Sequence, residues 1–269
     1  MAKPDLDELL EIANEVGSAV RVYFAENEDY GEIISKRGDD VTRKIDMFAE
    51  RALERALEHH GLCARIISEE LGDHVFPKGK TPSFTLIFDP IDGSTNATVG
   101  IPFFCSALAY SPKTDVVRFG DVQAGVVSTI FGRTYYAERG GGAYVDGKKM
   151  PRKTIGKEKP LFSIYVYGKN VPPKLLQLMR RGVVVRALGS IATELCLVAE
   201  GAIDAIIDIR GMLNGYDIAA SVLILEEAGG VVTSPDGKRF EGEVKSTFDV
   251  PLVAALDPKT HEMMLEMLR

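Results

Sequence analysis

Apolar residues recur at three- and four-residue steps through Leu6, Leu9, Leu10, Ala13, Val16, Gly17, Val20 and Phe24. That spacing puts them on one face of a helix, with Asp5 as its N-cap after Pro4. Phe48, Ala49, Ala52, Leu53, Ala56 and Leu57 mark the inner face of a second helix over 45–60, closed by Gly61. Short apolar runs predict buried strands over 64–68 and 84–88. The segments 104–110, 122–129, 134–139 and 143–145, with Gly140-Gly141-Gly142 and Asp146-Gly147 as turns, predict an antiparallel meander. A polar Lys/Pro/Gly stretch at 151–160 follows. Beyond it strands (161–167, 183–186, 205–209, 231–233, 252–255) alternate with helices (173–181, 190–200, 216–228, 258–268). The chain reads as an N-terminal α+β half, residues 1–155, joined to a C-terminal α/β half, residues 156–269. Ligands in such arrangements sit between the halves, at strand ends.

Composition narrows the picture. With 269 residues, 45% of them hydrophobic and 26% charged, the chain can bury a core unaided. Disordered, collagen-like and disulfide-framework classes are excluded, and no apolar run is long enough to span a membrane. The acidic N-terminus shows no signal peptide, and Cys63, Cys105 and Cys196 are odd in number and far apart. Both features predict a cytoplasmic protein with reduced thiols. The formal charge of −7 argues against a nucleic-acid partner. Asn and Gln together number only seven, which leans towards a thermophilic source. The charge is uneven: Lys148 to Arg186 holds eleven Lys/Arg and one acid, Glu158, a local balance of +10 that leaves −17 elsewhere. Most of that block is expected to be solvated surface.

The run Leu86-Ile87-Phe88-Asp89-Pro90-Ile91-Asp92-Gly93-Ser94-Thr95-Asn96 carries the chemistry. An apolar strand ends in two carboxylates three apart, and proline restricts the turn between them. Asp89, Asp92 and the Ile91 carbonyl can converge there as hard oxygen ligands, which suit Mg²⁺. The amides of Gly93, Ser94 and Thr95 open a helix and offer a cradle for phosphate oxygens. Glu69-Glu70 follow the strand over 64–68, Asp217 lies in the first turn of an apolar helix, and Asp46 opens the second helix.

These motifs resemble the inositol monophosphatase family, the lithium-sensitive phosphatases that include fructose-1,6-bisphosphatases. The resemblance covers nearly the whole chain: the Asp-Pro-Ile-Asp-Gly run, Glu69-Glu70, the Gly-Ser-x-Ala turn from Gly189 to Ala192, the glycine-rich hairpin from Gly140 to Gly147, and Tyr216 to Ser221, with Tyr for the family's Trp. It implies a layered αβαβα sandwich and two to three Mg²⁺ ions per subunit. Glu69, Asp89, the Ile91 carbonyl, Asp92 and Asp217 would ligate two of them, and Asp46 would stand near a weaker third. Gly93, Ser94 and Thr95 would cradle phosphate, with Glu69 and the Ser94 hydroxyl orienting the attacking water. The implied partners are a small phosphate ester and a second copy in a homodimer. The Lys36–Asp40 run lies where the family has a mobile catalytic loop, which would bring Lys36 near the third metal.

The substrate side departs from the animal and bacterial members. Arg210 stands seven residues before Asp217, where those carry a glutamate. The Asp208-Ile209-Arg210 run resembles archaeal members acting on both inositol monophosphates and fructose 1,6-bisphosphate, and an arginine suits a second phosphate. Asp92, Arg186 and the Ile191 backbone match substrate-side positions, and Tyr165, Tyr167 and Lys169 follow the strand that opens the second half. Within the same superfamily a bisphosphate nucleotidase, an NADP phosphatase or a non-catalytic sugar-phosphate or RNA-associated member stays open. An aspartyl-phosphate mechanism does not fit, because it needs aspartates at i, i+2 and these are at i, i+3 across Pro90. The four histidines show no metal-binding spacing and read as surface or satisfied residues.

Overall fold

The computed structural model describes residues 3–37, 40–151, 157–168, 170–180, 182–244 and 250–269. Two helices come first, α1 (Leu6–Glu26) and α2 (Lys44–His59). Asp5 caps α1 by accepting the Glu8 N–H at 2.9 Å, as its position before the apolar stripe predicts. Between them lies a hairpin of β1 (Ile33–Arg37) and β2 (Asp40–Arg43), which no apolar pattern announces because its residues are mostly polar.

An eight-stranded sheet follows, built from β3 (Ala64–Ser68), β4 (Gly72–Phe76), β5 (Thr85–Asp92), β6 (Cys105–Ser111), β7 (Ala124–Thr129), β8 (Thr134–Glu138), β9 (Gly142–Val145) and β10 (Lys148–Lys149). Its order is β10-β9-β8-β7-β6-β5-β3-β4. The pairs from β5 through β10 are all antiparallel, which is the expected meander, while β3 runs parallel to β5. The second sheet has the order β12-β11-β13-β15-β14. Its strands are β11 (Leu161–Tyr165), β12 (Val184–Arg186), β13 (Ala205–Asp208), β14 (Val231–Thr233) and β15 (Leu252–Ala255). A short α3 (Ser94–Thr98) follows β5, and α4 (Pro173–Arg180), α5 (Ile191–Glu200), α6 (Gly215–Glu227) and α7 (Pro258–Leu268) belong to the second half.

Three apolar clusters define five layers. Leu9, Ile12, Val16, Leu53 and Leu57 of α1 and α2 pack on Leu86, Phe88, Leu108 and Val126 of the first sheet. The other face of that sheet, through Ile87, Val127 and Tyr135, packs on Leu195 of α5 and on Ala219, Leu223 and Ile224 of α6. The same cluster takes in Ile206, Leu252 and Ala254 of the second sheet. Leu175 and Leu178 of α4 and Met264 of α7 cover the outer face of that sheet with Phe162, Ile207 and Val253. The result is an αβαβα sandwich whose middle helices, hydrophobic nearly all round, share one core with both sheets. No helix among the described residues is long and apolar enough to cross a membrane.

Of the basic block, Lys157 has its partners within the fold, reaching Asp204 at 2.9 Å and the Gly201 and Ala202 carbonyls at 3.0 Å. Residues 152–156, 169 and 181 of that block lie outside the described residues.

Candidate active site

The sequence reading ends a strand at Phe88 and places Asp89 in a turn. The structure instead carries β5 through Asp92. Pro90 has no N–H to give the ladder, and the register shifts there: Asp89 faces Ala107 and Asp92 faces Cys105, three steps against two. This one-residue bulge re-aims the end of the strand, with Ser106 Oγ donating to the Pro90 carbonyl at 2.7 Å. Asp89 and Asp92 are thereby buried at 2% and 8% exposure. Gly93 then turns the chain into α3 with φ of 100°, a left-handed conformation suited to glycine. A Cβ at Gly93 would also lie 2.9 Å from the Gly189 carbonyl oxygen. Ser94 opens α3 half-buried, and Thr95 beside it is exposed.

The second half closes on this corner. Asp92 accepts from Ser190 Oγ at 2.6 Å, from the Ala192 amide at 2.7 Å and from the Ile191 amide at 3.1 Å. These donors form the start of α5, so a carboxylate from the first sheet sits at the N-terminus of a second-half helix. The Ile191 backbone, a sugar-side position in the sequence reading, gives its N–H to Asp92. Asn96 Nδ2 bridges the Phe103 and Leu188 carbonyls at 2.7 Å each. Replacing Asn96 with Ala leaves both carbonyls short of a donor, at about 1–3 kcal/mol each. The expected result is a melting temperature lower by roughly 3–10 °C in calorimetry; an unchanged melt would show that this bridge does not hold the halves together.

Three more carboxylates lie near enough to act on Asp89. Asp217, in the first turn of α6, accepts the Asn214 N–H at 2.7 Å. Asp46, in the first turn of α2, accepts the Arg43 N–H at 2.8 Å. Glu69 follows β3 directly, and Thr42 of β2 donates its hydroxyl to the adjacent Glu70. Burial, and then the charges of Glu69, Asp217, Asp92 and Asp46, hold the Asp89 carboxyl well above its ordinary range. Burial also raises Asp92, opposed by its hydrogen bonds from Ser190, Ala192 and Ile191. Asp217 is pushed up to about 8, by burial first.

Five acids lie close enough to act on one another, Asp46, Asp89 and Asp92 buried and Glu69 and Asp217 half-buried, and they repel unless protons or a cation intervene. Asp89 Oδ1 is buried and has no hydrogen-bond partner, the condition of an atom aimed at a ligand. The donors are all oxygens, which is the chemistry of a hard divalent cation. Asp89 with Glu69, Asp92 and Asp217 therefore fits a metal, and Asp46 stands beside them.

A buried network lies beside these acids. Arg210 follows β13 and binds Asp208, which is fully buried, through Nε at 3.0 Å and Nη2 at 2.5 Å. Its guanidinium lies over the rings of Tyr165 at 4.4 Å and Tyr167 at 4.8 Å, and Nη1 donates to the Tyr167 hydroxyl. Its charge also counters the rise at Asp217. Arg210 is thus clamped in place beside the acids. Arg186 is exposed at the end of β12, an edge strand, with Nη1 donating to the Val185 carbonyl at 2.8 Å. Lys169, Gly38 and Asp39 lie outside the described residues, so the expected loop around Lys36 has no structural account.

The inositol monophosphatase family profile matches residues 3–269. This chain belongs to the inositol monophosphatase family. A fructose-1,6-bisphosphatase/inositol-1-monophosphatase of Methanothermobacter thermautotrophicus is 35% identical over 90% of this chain and 88% of its own. A bifunctional NADP phosphatase/NAD kinase of Methanococcus maripaludis is 33% identical over 91% of this chain, which covers 45% of that longer protein. Among solved structures, a Pyrococcus horikoshii protein described as similar to inositol-1 monophosphatase superposes with a TM-score of 0.79, at 31% identity, over 98% of this chain and 97% of its own. The chain is accordingly a phosphatase of a metal-dependent enzyme family.

Two supporting residues escaped the sequence reading of this phosphatase, and a third entered it only as the first residue of the Asp-x-Arg run. Glu194 is fully buried on α5, where Ser163 Oγ and Tyr165 Oη donate to it, and Tyr165 Oη accepts the Gly189 N–H at 2.6 Å. Burial raises its carboxyl. A single acid in the apolar run Ile191–Ala199 was the available signal. Glu50 is the counterpart on α2, 1% exposed and pushed up to about 7 by burial. Asp208, the buried partner of Arg210, is the third. Of the histidines, His59 is exposed and His60 half-buried, and both meet Glu15.

The raised carboxyls give the metal-free protein a pH dependence. Asp217 at about 8 and Glu50 at about 7 prefer their protons in the fold. Their contribution is complete below the unfolded carboxyl range near about 4 and is lost as pH rises to 7–8. EDTA-treated protein is expected to melt lower at pH 8 than at pH 5, with Mg²⁺ raising the melt more at pH 8. Equal melts at both values would contradict the assignment of those shifts.

Proposed function

We propose that the chain is a cytoplasmic, Mg²⁺-dependent phosphomonoesterase acting on fructose 1,6-bisphosphate and inositol 1-phosphate. The observation that carries this reading is the orphaned Asp89 oxygen, set among four further carboxylates and next to the Gly93 turn into α3. When bound, Mg²⁺ would supply charge neutralisation and an acidified water at this point. Asp89, Glu69, the Ile91 carbonyl, Asp92 and Asp217 would hold two ions, with Asp46 beside a third. The chain's own groups do the rest. The amides of Gly93, Ser94 and Thr95 take the phosphate oxygens and stabilise the charge that grows on them. Glu69, half-buried at the rim of the acids, accepts the proton of the attacking water, and the Ser94 hydroxyl orients it. Asp92, fixed by α5, also meets the sugar hydroxyls. No side chain is required as a nucleophile.

Arg210 supports the bisphosphate reading. Three of its five N–H groups are engaged by Asp208 and Tyr167, which leaves two for a second phosphate. Arg186, exposed near the start of α5, adds positive charge on the same side. The NADP phosphatase relative favours a second reading, hydrolysis of a 2′-phosphate, by the same acids. Phosphate release from fructose 1,6-bisphosphate, inositol 1-phosphate, adenosine bisphosphate and NADP separates the two. The first two substrates are expected to lead in kcat/KM, and a preference for NADP would replace this reading with the second. We further propose a homodimer formed through the exposed apolar residues Val99, Ile101 and Phe131. It should sediment as a dimer and lose that state in Ile101→Glu; a monomeric wild type would refute it.

A further inference from the structure

His59 ends α2 and His60 is its C-cap, far from the acids at the other end of that helix. His59 lies thirteen helical steps beyond Asp46, about 20 Å along the axis. Glu15 projects from α1, the neighbouring helix of the same outer layer. Glu15 Oε1 lies 3.1 Å from His59 Nδ1 and 3.2 Å from His60 Nε2. The three ligand atoms lie within 4.8 Å of one another. Zinc–nitrogen bonds of about 2.0–2.1 Å at tetrahedral angles set neighbouring ligand atoms about 3.3 Å apart. Two edges of the triangle already have nearly that length.

The fourth residue makes this more than a hydrogen-bonded pair of histidines. The other nitrogen of His60, Nδ1, is 3.4 Å from Glu8 Oε1, and the His60 side chain is only 11% exposed. Both ring nitrogens of His60 face carboxylates, Glu8 at Nδ1 and Glu15 at Nε2, so a cation that takes the Nε2 lone pair leaves the Nδ1 proton directed at Glu8. Carboxylate–histidine pairs orient metal-bound imidazoles in this way. The charges agree as well. Glu8 and Glu15 supply two negative charges, and the C-terminal end of α2 adds its partial negative charge. Two imidazoles and one carboxylate select a first-row transition ion of the zinc type rather than Mg²⁺, which prefers oxygen.

We propose that Glu15, His59 and His60 form a second cation site, separate from the catalytic acids, which binds Zn²⁺ or a similar ion and ties α1 to the end of α2. Glu8 orients His60, and water completes the coordination.

The test uses untagged, EDTA-stripped protein in excess Mg²⁺, so that the catalytic acids are saturated with their own ion. Co²⁺ is titrated as the spectroscopic probe. The expected result is a tetrahedral Co²⁺ absorption that saturates at one equivalent and is bleached by Zn²⁺. His59→Ala should abolish it; the His59 ring is 74% exposed, so that variant should melt like the wild type without metal. Glu8→Gln should weaken Co²⁺ binding roughly 10–100-fold while keeping the band. Zn²⁺ should raise the melting temperature of the wild type and leave that of His59→Ala unchanged. No tetrahedral band in the wild type, or a band that persists in His59→Ala, would overturn the proposal.

Discussion

Asp89→Asn is expected to lower phosphate release more than about 100-fold, beyond the usual effect of changing a partner of a metal ligand rather than the ligand itself. The carboxylate sits at the bulge where β5 ends, with one oxygen buried and without a hydrogen bond. Amide for carboxylate keeps the size and removes the charge. The acids Glu69, Asp92, Asp217 and Asp46 then have one repulsive neighbour fewer. The metal-free variant should therefore melt at or above the metal-free wild type at pH 8, while its Mg²⁺-induced shift in melting temperature shrinks. Loss of activity together with a gain in apo stability distinguishes a ligand from a structural acid, whose replacement would lower both. Near-normal turnover in Asp89→Asn would remove the metal-site account.

The second large effect concerns Arg210. It is the ionic partner of Asp208, which is fully buried. Removing one member of such a pair leaves a charge stranded and costs about 3–5 kcal/mol. Arg210→Ala should therefore unfold at distinctly lower temperature. Its turnover of fructose 1,6-bisphosphate should fall at least about tenfold relative to inositol 1-phosphate, the loss of one charge-assisted contact. The charge reversal Arg210→Glu would set a carboxylate against Asp208, so it confounds fold with selectivity. Pairing Arg210→Met with Asp208→Asn removes the stranded charge. This double variant should recover most of the stability while its preference for the bisphosphate stays lost. If the preference returns with stability, Arg210 serves the fold and does not read the substrate.

The elements that position the acids were legible because local pattern and chemistry coincide there. The period-3.6 stripe of α1, the apolar runs of β3 and β5 and the Asp-Pro-Ile-Asp-Gly sequence each dictate a conformation by themselves. The course of β5 past Phe88 was not legible, because proline signals a turn and only the sheet shows that it is absorbed as a bulge. The hairpin of β1 and β2 was missed for want of an apolar face. Partnerships across long sequence separations were hidden altogether. Nothing near Asp92 announces that Ser190, Ile191 and Ala192 will hold it, and nothing near His59 announces Glu15. The sequence offers Arg210 to a second phosphate, yet most of its fork answers Asp208 and two tyrosines. Residue types give a site its chemistry, while packing between α5, α6 and the two sheets decides which donors remain free for a ligand.

The proposed function has the five neighbouring acids hold a divalent cation on which phosphate-ester hydrolysis depends. It is tested most directly by phosphate release from fructose 1,6-bisphosphate and inositol 1-phosphate, using EDTA-treated protein before and after Mg²⁺ is restored. Background release is expected without the ion and full turnover with it. Equal release in both states would contradict it.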